Sequence, residues 1–311
     1  MIVRVEAATV TELPQGTGSA IAELRPGRGF SGRYACVRKD RLTAKNGSAY
    51  LAVELRDRTG TLSARAFRDA DRMGLRFERG DAVAVRGRIE RFRGDLAAEL
   101  EDIRRLEPGE WQPEEFLPVA YRSEEDMNGF LEHLAREIAD PALREVVDRV
   151  VFSGPLAADF RRAPCTRAGH HAYVGGLLEH TVSVATLAGE FSQLHPRLDS
   201  DMLMAAAILH DAGKAREFTY GAEFGTTEEG RLLGHLVIGG QLVSEAAGGL
   251  PEERRLALLN CVLSHHGPDA GPGRARPAGR GSGFASAEAM ALYRLNALDA
   301  SVKGALEHGL G

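Results

Sequence analysis

The sequence is poor in cysteine and has no long apolar run, and both absences limit what the chain can be. Its three cysteines, Cys36, Cys165 and Cys261, lie far apart and form neither a CxxC zinc motif nor a disulfide framework. No apolar run approaches the roughly 18 to 20 residues needed to span a bilayer. The N-terminal stretch MIVRVEAATVTELPQG lacks the basic start and the apolar core of a secretory signal. We therefore expect a cytoplasmic protein that does not bind membranes.

The composition excludes a disordered chain and leaves room for two domains. Hydrophobic residues make up 43% of the 311 residues and charged residues 27%, which is typical of globular proteins. The net charge of −5 is unevenly spread, because residues 1–110 hold 21 of the 39 Lys and Arg but only 17 of the 44 Asp and Glu. A basic front half suits a polyanionic partner, and an acidic back half suits metal ligands. Ordinary surface variation is the alternative explanation of the charge taken alone.

Residues 29–107 have the alternating pattern of short β-strands. Five segments place apolar residues at every second position for part of their length: RYACVRKDRLTA, AYLAVELRD, TLSARAFRD, DAVAVRGRIERFR and LAAELEDIRRL. Turn signals such as KNGS and DRTG separate them. Five strands in about 80 residues favour a small barrel over a sandwich. Glycines fall where such a sheet must bend or turn, at Gly32, Gly60, Gly80, Gly87 and Gly94.

This barrel resembles an OB-fold of the kind found in nucleic-acid-binding proteins. The likeness rests on LAVELRDRTGTLSARAF followed by ERGDAVAVRGRIERFRGDLAAEL. Such folds bind single strands on aromatic platforms, with basic side chains along the path of the backbone. The foremost candidates are Tyr50, Phe67 and Arg91, and the others are Tyr34, Phe92, Arg33, Arg38, Lys39, Arg65, Arg88 and Arg93. The alternative for any one of them is a core aromatic residue or a solvated arginine.

The period of the pattern changes after residue 107. Residues 108–118, PGEWQPEEFLP, are rich in proline and acidic residues and indicate a linker. From 119 to 311, apolar residues recur at spacings of three and four, which predicts helices. The predicted fold is therefore multi-domain, with a small all-β OB-fold barrel at 29–107 followed by an all-α domain at 119–311. Residues 1–28 form an N-terminal extension that carries no interpretable motif.

Histidines are concentrated in the helical half, where eight of the ten lie between residues 170 and 266. His180 ends the segment GGLLEH, His210 and Asp211 close MLMAAAILHD, and LLGHLVIGG contains His235. A further pair, His265 and His266, ends ALLNCVLSHH. A buried imidazole or carboxylate needs a partner, and metal ions supply a partner to several of them at once. His133 and His195 are better explained as ordinary structural histidines.

These residue types suit phosphoryl chemistry. Imidazoles and carboxylates bind Mn, Fe, Co, Ni or Zn ions, and an aspartate directly after a histidine can bridge two of them. Two metals so bridged activate a water and clamp the attacking and leaving oxygens of an in-line displacement. Lys214 lies three residues beyond Asp211, on the same face if the helix continues. There it could neutralise a phosphate oxygen as charge develops.

The pattern resembles that of the HD superfamily of metal-dependent phosphohydrolases, which is defined by H…HD…D. Here the motif is His180, His210-Asp211 and an acidic residue near 296–299. The chain resembles more closely the YhaM-type 3′-to-5′ exoribonucleases, in which an OB-fold precedes an HD domain. Five blocks carry the likeness in order: HHAYVGGLLEHT, AAAILHDAGK, RLLGHLVIGG, LSHHG and EAMALYRLNALDA.

The resemblance implies two divalent metal ions, Mn²⁺ foremost, with Fe, Co, Ni, Zn or Mg as alternatives. It implies that one ion is held by His180, His210 and Asp211, and the second by Asp211, His235 and His265, with His266 as a further candidate. It also implies that Lys214, His170 and His171 face substrate phosphates.

One position departs from the family's last block, which resembles H-x-x-D-x-x-D-A. This chain has Tyr293, Asn296 and Asp299 there, so the amide of Asn296 stands where a metal carboxylate is expected. Either Asp299 substitutes, or the ion is held weakly, or hydrolysis is lost.

The segment GPDAGPGRARPAGRGSG follows the second histidine pair and is rich in Gly, Pro and Arg. In one interpretation Arg274, Arg276 and Arg280 form a phosphate-binding flap over the site. In the other the segment is an ordinary surface loop.

Together these observations predict a metal-dependent 3′-to-5′ exoribonuclease acting on single-stranded RNA, with single-stranded DNA as a further candidate. One rival is an HD phosphodiesterase or phosphatase of small nucleotides. The other is a nucleic-acid-binding protein with an impaired HD site. A homo-oligomer is compatible with each of these.

Overall fold

The computed structural model describes residues 18–268 and 283–309, which form two compact units. The first unit holds the described residues up to Leu117, and the second holds most of the chain from Pro118 onward. A β barrel occupies the first and a helical domain the second, so the predicted fold class is confirmed. The exact domain boundaries stay predictions.

The first unit is a closed barrel of five strands in the order β1-β2-β3-β5-β4. Neighbouring strands are antiparallel except β3 and β5, which run parallel. A short helix, α1 (Ala70–Gly74), lies between β3 and β4 in the chain. The strands are β1 (Gly29–Thr43), β2 (Ala49–Asp57), β3 (Gly60–Ala66), β4 (Ala82–Phe92) and β5 (Asp95–Arg105).

The alternation seen in the sequence fills the interior of this barrel. On β2, Leu51, Val53 and Leu55 are buried while the residues between them are partly exposed, as expected for side chains that point to opposite faces. Gly87 is required on β4, because a Cβ there would overlap the carbonyl oxygen of Glu99 on β5. The ladder between these strands shifts its register at that point, which accommodates the close approach.

The described part of the N-terminal extension belongs to the barrel. A 3₁₀ turn at Ile21–Glu23 places Ile21 and Leu24 in the barrel core. The backbone N–H of Ile21 donates to Oδ2 of Asp57 over 2.8 Å. This part of the extension therefore adds apolar burial to the barrel, a role the sequence did not reveal.

The second unit is built mainly of helices around one apolar core. Among the helices of residues 18–268 and 283–309, none is both long and apolar enough to cross a bilayer. The helices are α2 (Glu124–Arg136), α3 (Pro141–Val147), α4 (Ala157–Arg162), α5 (Gly176–Leu194), α6 (Ser200–Leu209), α7 (Lys214–Glu217), α8 (Glu228–Ala246), α9 (Glu252–Ser264) and α10 (Ala287–His308).

The central helix of this unit is α6, whose residues from Met202 to Leu209 are all buried. Its N-cap is Asp199, whose side chain accepts from the N–H of Met202 and satisfies a free donor of the first turn. Ser286 caps α10 in the same way by accepting from Ala289. Because this helix is buried along its length, the residues that follow it, starting at His210, lie in the interior of the domain.

A small hairpin departs from the all-helical prediction for this unit. Strands β6 (Phe218–Tyr220) and β7 (Phe224–Thr226) pair antiparallel directly after α7. The stretch is rich in Phe, Thr and Tyr and holds two glycines, which favour strands and turns over a helix. This hairpin was not predicted from the sequence, because strands of three residues are too short to show an alternating period.

Candidate functional site

His210 and Asp211 lie in a tight turn that follows α6, and both side chains are buried. The N–H of Lys214 donates to the carbonyl of Asp211 over 2.9 Å, and α7 begins there. Gly213 allows this turn to pack on α8, because a Cβ would overlap the carbonyl oxygen of His235 and lie 2.6 Å from the nitrogen of Gly239. Glycine in this motif therefore serves close backbone packing.

A first donor set faces one oxygen of Asp211. The Nε2 atoms of His180 and His210 lie 3.2 Å apart, and each lies within 3.4 Å of Oδ2 of Asp211. The Nδ1 atoms are already engaged, with Ala207 O at 2.8 Å in His210 and with Asp299 Oδ2 at 2.7 Å in His180. An Nδ1 that donates to an oxygen leaves the Nε2 lone pair directed at the centre of the set.

A second donor set faces the other oxygen of Asp211. Its Oδ1 lies 3.3 Å from Nε2 of His265 and 3.6 Å from Nε2 of His235. The ring of His266 joins the set, with its Nε2 at 3.0 Å from Nε2 of His235. Both Oδ1 of Asp211 and Nε2 of His265 are buried, yet neither has a hydrogen-bond partner within the described residues. Burying a polar atom without a partner costs folding free energy, and these two atoms lie 3.3 Å apart on the same side of the site.

The position of His235 depends on a break in α8. Gly234 has φ of 71° and ψ of 160°, so the helix is interrupted one residue before the histidine. Residues other than glycine rarely adopt that backbone conformation. Beyond the break, Nδ1 of His235 lies 2.9 Å from Oε2 of Glu217 on α7, so this carboxylate is beside the outer nitrogen of the ring.

The two sets fit divalent metal ions. Donors bound to one ion at about 2.0–2.2 Å stand roughly 2.8–3.6 Å apart at octahedral or tetrahedral angles. The three separations in the first set, among His180, His210 and Asp211, are 3.2, 3.3 and 3.4 Å. Imidazole nitrogens and a carboxylate that supplies one oxygen to each side form the donor set of a two-metal centre.

The charge states of these groups suit ligation at neutral pH. Burial lowers the pKa of His180 and of His265 to about 4, and so both imidazoles are neutral. Burial alone would raise the pKa of Asp211, but Lys214 and His210 outweigh it and hold that pKa well below its usual range. Neutral imidazoles and an ionised carboxylate are the forms that bind metals.

On the barrel, two of the predicted stacking residues lie side by side. The rings of Tyr50 and Phe67 have centroids 5.4 Å apart, and the Phe67 side chain is 49% exposed. The guanidinium of Arg65 lies 3.8 Å from the centre of the Phe92 ring. Tyr34 is different, because it is buried in the barrel core and donates to the carbonyl of Ser19. The barrel therefore offers an exposed aromatic and basic surface, which we call the Tyr50 face.

Each of the two units matches a known family of domains. Residues 177–301 match the HD domain, and residues 35–106 match an OB-fold nucleic acid binding domain. Among solved structures, the second OB-fold domain of replication protein A from Methanococcus maripaludis covers 29% of this chain and 96% of its own length, at 20% identity and a TM-score of 0.25. That likeness is too weak to support any argument about function.

Curated relatives extend the match over most of the chain. The 3'-5' exoribonuclease YhaM of Bacillus subtilis is 31% identical over 227 residues, which are 72% of this chain and 72% of that protein. The YhaM protein of Bacillus velezensis is 32% identical over the same shares. The chain belongs to the YhaM 3'-5' exoribonuclease family. The YhaM protein of Listeria welshimeri adds coverage, with 29% identity over 84% of this chain and 81% of its own length.

In this YhaM-family chain, the residues predicted to face substrate are closely tied to the metal centre. Nζ of Lys214 lies 2.7 Å from Oδ2 of Asp211, and the Lys214 side chain is almost fully buried. His171 is also buried, with Nδ1 at 2.8 Å from the hydroxyl of Tyr173 and Nε2 at 3.0 Å from Asp299. A phosphate contact would have to replace these partners. Their substrate role stays a prediction, as does that of the partly exposed His170. Arg274 and Arg276, with Arg280, lie outside the described residues.

The last helix of the YhaM-family chain places Asn296 and Asp299 differently. The buried Asn296 donates from Nδ2 to the carbonyl of His265 over 3.3 Å. Oδ2 of Asp299 lies 2.7 Å from Nδ1 of His180 and 3.0 Å from Nε2 of His171. Asp299 therefore orients a ligand of the first set through its outer nitrogen. Metal ligation by Asn296 stays a prediction.

Sequence reasoning missed Cys165 and Glu217 as neighbours of this centre. Oε2 of Glu217 lies 2.9 Å from Nδ1 of His235, and Sγ of Cys165 lies 3.9 Å from Oδ2 of Asp211. Neither could have been found from spacing, because an isolated cysteine and a helical glutamate carry no motif. Only the packing of α4, α7 and α8 brings them to the site.

Proposed function

We propose that this protein is a metal-dependent 3′-to-5′ exonuclease that degrades single-stranded RNA, with single-stranded DNA as a further candidate substrate. The observation that carries the proposal is the split carboxylate of Asp211, whose two oxygens face two separate donor sets. The activity named for the YhaM relatives supports the same reaction. Hydrolysis of the terminal phosphodiester from the 3′ end would release nucleoside monophosphates.

The buried residues of the centre have separate tasks in this reaction. His180, His210 and Asp211 would hold one ion, and Asp211, His235, His265 and His266 the second. When bound, two divalent ions supply an activated water and neutralise charge on the phosphate. Asp299, which is bonded to Nδ1 of His180, keeps that imidazole in the tautomer that ligates. Burial of the centre excludes bulk water and strengthens every electrostatic contact within it. Nζ of Lys214 stands beside the Asp211 carboxylate, where it stabilises negative charge.

The barrel would hold the strand. Tyr50 and Phe67 provide a platform for stacked bases, and Arg91 and Arg65 supply positive charge along the backbone path. Stacking tolerates any base, so the expected preference is for single strands and not for a particular sequence. Binding through the Tyr50 face would weaken steeply with salt.

Three finer points belong to the proposal. Mn²⁺ is the proposed ion, since a centre of imidazoles and one carboxylate suits first-row metals. A cytoplasmic location is proposed from the features of the sequence. A homo-oligomer is compatible with the activity and is not required by it.

The experiment is a degradation assay with purified protein, Mn²⁺ and a 5′-labelled single-stranded RNA. The wild type should produce a ladder that shortens from the 3′ end, and a His210→Ala, Asp211→Ala variant should leave the RNA intact. A His133→Ala variant is the matched control, because His133 is exposed on α2 and remote from the donor sets in sequence. Elemental analysis of the same samples should find about two ions per chain in the wild type.

The rival with an observation in its favour is a binding protein with an impaired centre. Asn296 has a neutral amide where a carboxylate is expected, and the missing negative charge would weaken metal affinity. Intact RNA with tight binding and fewer than two metals per chain would establish this rival. Degradation of long RNA that is as insensitive to changes at Tyr50 and Phe67 as the cleavage of small nucleotides would instead favour a small-nucleotide phosphodiesterase.

A further inference from the structure

Cys165 is a buried thiol that stands at the edge of the metal centre and has no part in the proposed reaction. It follows α4, in a loop that returns on itself, because the N–H of Cys165 donates to the carbonyl of His171 over 3.1 Å. Thr166 closes the same loop by donating from Oγ1 to the carbonyl of His170 over 2.8 Å. The loop therefore holds the thiol and the His170 ring on the same side.

The sulfur belongs to a third group of ligand-type atoms. Donor atoms of Cys165, His170 and His180 all lie within 4.8 Å of one another. Sγ of Cys165 is 3.6 Å from Nε2 of His170 and 3.9 Å from Oδ2 of Asp211. The thiol is fully buried and accepts from Nζ of Lys214 over 3.3 Å, so an ion bound to the sulfur replaces this contact.

The separation of sulfur and nitrogen has the value expected for two ligands of one ion. A Zn–S bond of about 2.3 Å and a Zn–N bond of about 2.1 Å, at a tetrahedral angle, put the two atoms about 3.6 Å apart. That is the separation between Sγ of Cys165 and Nε2 of His170. On the same side, Oδ2 of Asp211, a carboxylate that is 1% exposed, lies 3.9 Å from the sulfur and adds negative charge beside this pair.

His180 can serve only one ion at a time through its inner nitrogen. Its Nδ1 is bonded to Asp299 at 2.7 Å, which leaves Nε2 for the centre. The group with His210 and Asp211 and the group with Cys165 and His170 both include His180. They are therefore alternative positions for an ion.

We propose that Cys165, His170 and His180 form a thiolate-containing site for a thiophilic divalent cation such as Zn²⁺, Co²⁺ or Cd²⁺. This site competes with the His180–His210–Asp211 set for the same imidazole. Thiolate ligands select soft and borderline ions, whereas Mn²⁺ prefers the set that includes a carboxylate. Binding breaks the S–H bond of Cys165, forms a metal–sulfur bond and releases one proton to solvent. The inference rests on the proposed metal centre and adds a selectivity for metal type to it.

The probe is Co²⁺, which gives an intense near-ultraviolet sulfur-to-metal charge-transfer band only when a thiolate binds it. Metal-stripped full-length protein would be titrated with Co²⁺, with and without prior loading with Mn²⁺. The variants are Cys165→Ala and a double variant, Cys36→Ala with Cys261→Ala, in which Cys165 is the only thiol. Cys36 and Cys261 are matched controls, because both are buried and neither belongs to a metal-ligand group within the described residues.

The expected result is a charge-transfer band in the wild type and in the double variant, and its complete loss in Cys165→Ala. Circular dichroism checks that each variant is folded. If Cys165→Ala does not fold, the double variant still decides, because only Cys165 can produce its band. Bound Co²⁺ without a band in the double variant overturns the proposal, and so does a band that survives in folded Cys165→Ala. RNA degradation is not measured here, so a missing band and a missing exonuclease activity are distinguishable results.

Discussion

The two candidate surfaces of this protein are built in opposite ways. On the barrel, Phe67 is half exposed, and Tyr50 lies beside it with one aromatic neighbour. In the metal centre, His210 and His265 are fully buried, and each has one ring nitrogen bound to a backbone carbonyl of the preceding turn. A stacking surface needs only area and accessibility, whereas a metal site needs each lone pair to be aimed.

This difference predicts how tolerant each surface is to change. Loss of one stacking side chain removes a share of the binding energy and leaves the rest. Loss of a buried group that contacts several others leaves uncompensated polar atoms and affects all of its partners. Substitutions in the metal centre should therefore have larger effects than substitutions on the Tyr50 face.

The largest effect is expected for Asp211→Asn. The substitution removes charge from both donor sets at once and leaves the buried ammonium of Lys214 without its carboxylate. We expect the degradation rate to fall by at least about 10³-fold and the free energy of unfolding of metal-free protein to fall by about 3–5 kcal/mol. Single-turnover assays, elemental analysis and urea unfolding measure these. Glu253→Gln, an exposed change on α9, is the control, and near-normal metal content in Asp211→Asn would contradict the bridging role.

Lowering the pH should weaken the metal-free protein within a defined window. Burial lowers the pKa of His180 and His265 to about 4, compared with the ordinary value of 6.5. The unfolded chain therefore binds protons first as the pH falls from 6.5 toward 4, and the free energy of unfolding decreases over that range. Above pH 6.5 both histidines are neutral in the folded and in the unfolded chain, so they do not reduce the free energy of unfolding there. Each tenfold difference in proton affinity between the two states corresponds to about 1.4 kcal/mol.

Urea unfolding of metal-free protein at several pH values between 7.5 and 5 tests this prediction. The slope should be smaller in a His265→Asn variant and unchanged in His133→Ala. A free energy of unfolding that stays constant as the pH falls through 6 would show that these histidines are not held neutral by burial.

Asp299→Asn should have a smaller effect than Asp211→Asn, since Asp299 acts through the outer nitrogens of His180 and His171. Loss of such a partner costs about 10–100-fold in metal affinity or activity. Metal competition with a chelator measures the affinity directly. Excess Mn²⁺ should restore most of the activity of Asp299→Asn and none of that of Asp211→Asn. Failure of Mn²⁺ to restore Asp299→Asn would indicate that Asp299 itself contacts substrate or metal.

The smallest effect is expected for Phe67→Ala on the barrel. A stacked base contributes about 1–3 kcal/mol, so affinity for a long single-stranded RNA should fall roughly 5- to 150-fold. Cleavage of a dinucleotide should be unchanged, because it does not need the Tyr50 face. Fluorescence anisotropy with labelled RNA measures the affinity, and Tyr121→Ala, which removes another exposed ring, is the control. Equal effects on long RNA and dinucleotide would mean that Phe67 acts through folding.

Local pattern was sufficient to predict the barrel strands, the helices and the histidines and aspartate that the fold brings together. Alternation predicted the strands because each barrel strand has one buried face. The apolar run before His210 predicted that His210 and Asp211 lie in the interior of the domain. The hairpin at Phe218–Thr226 was not predicted, because three-residue strands are too short to show a period. Stacking candidates were only partly separated from core residues, as Tyr34 is buried and Phe67 is exposed.

The sequence by itself determined a barrel followed by a helical metal-binding domain, because periodicity and the clustered histidines are local properties. Tertiary structure alone decided which nitrogen of each histidine faces the centre, since that depends on carbonyls and carboxylates brought from other turns and helices. It also decided that Asp299 holds His180 across 119 residues of chain and that Cys165 lies beside Asp211. Contacts between distant segments depend on how helices pack, and no spacing along the chain encodes them.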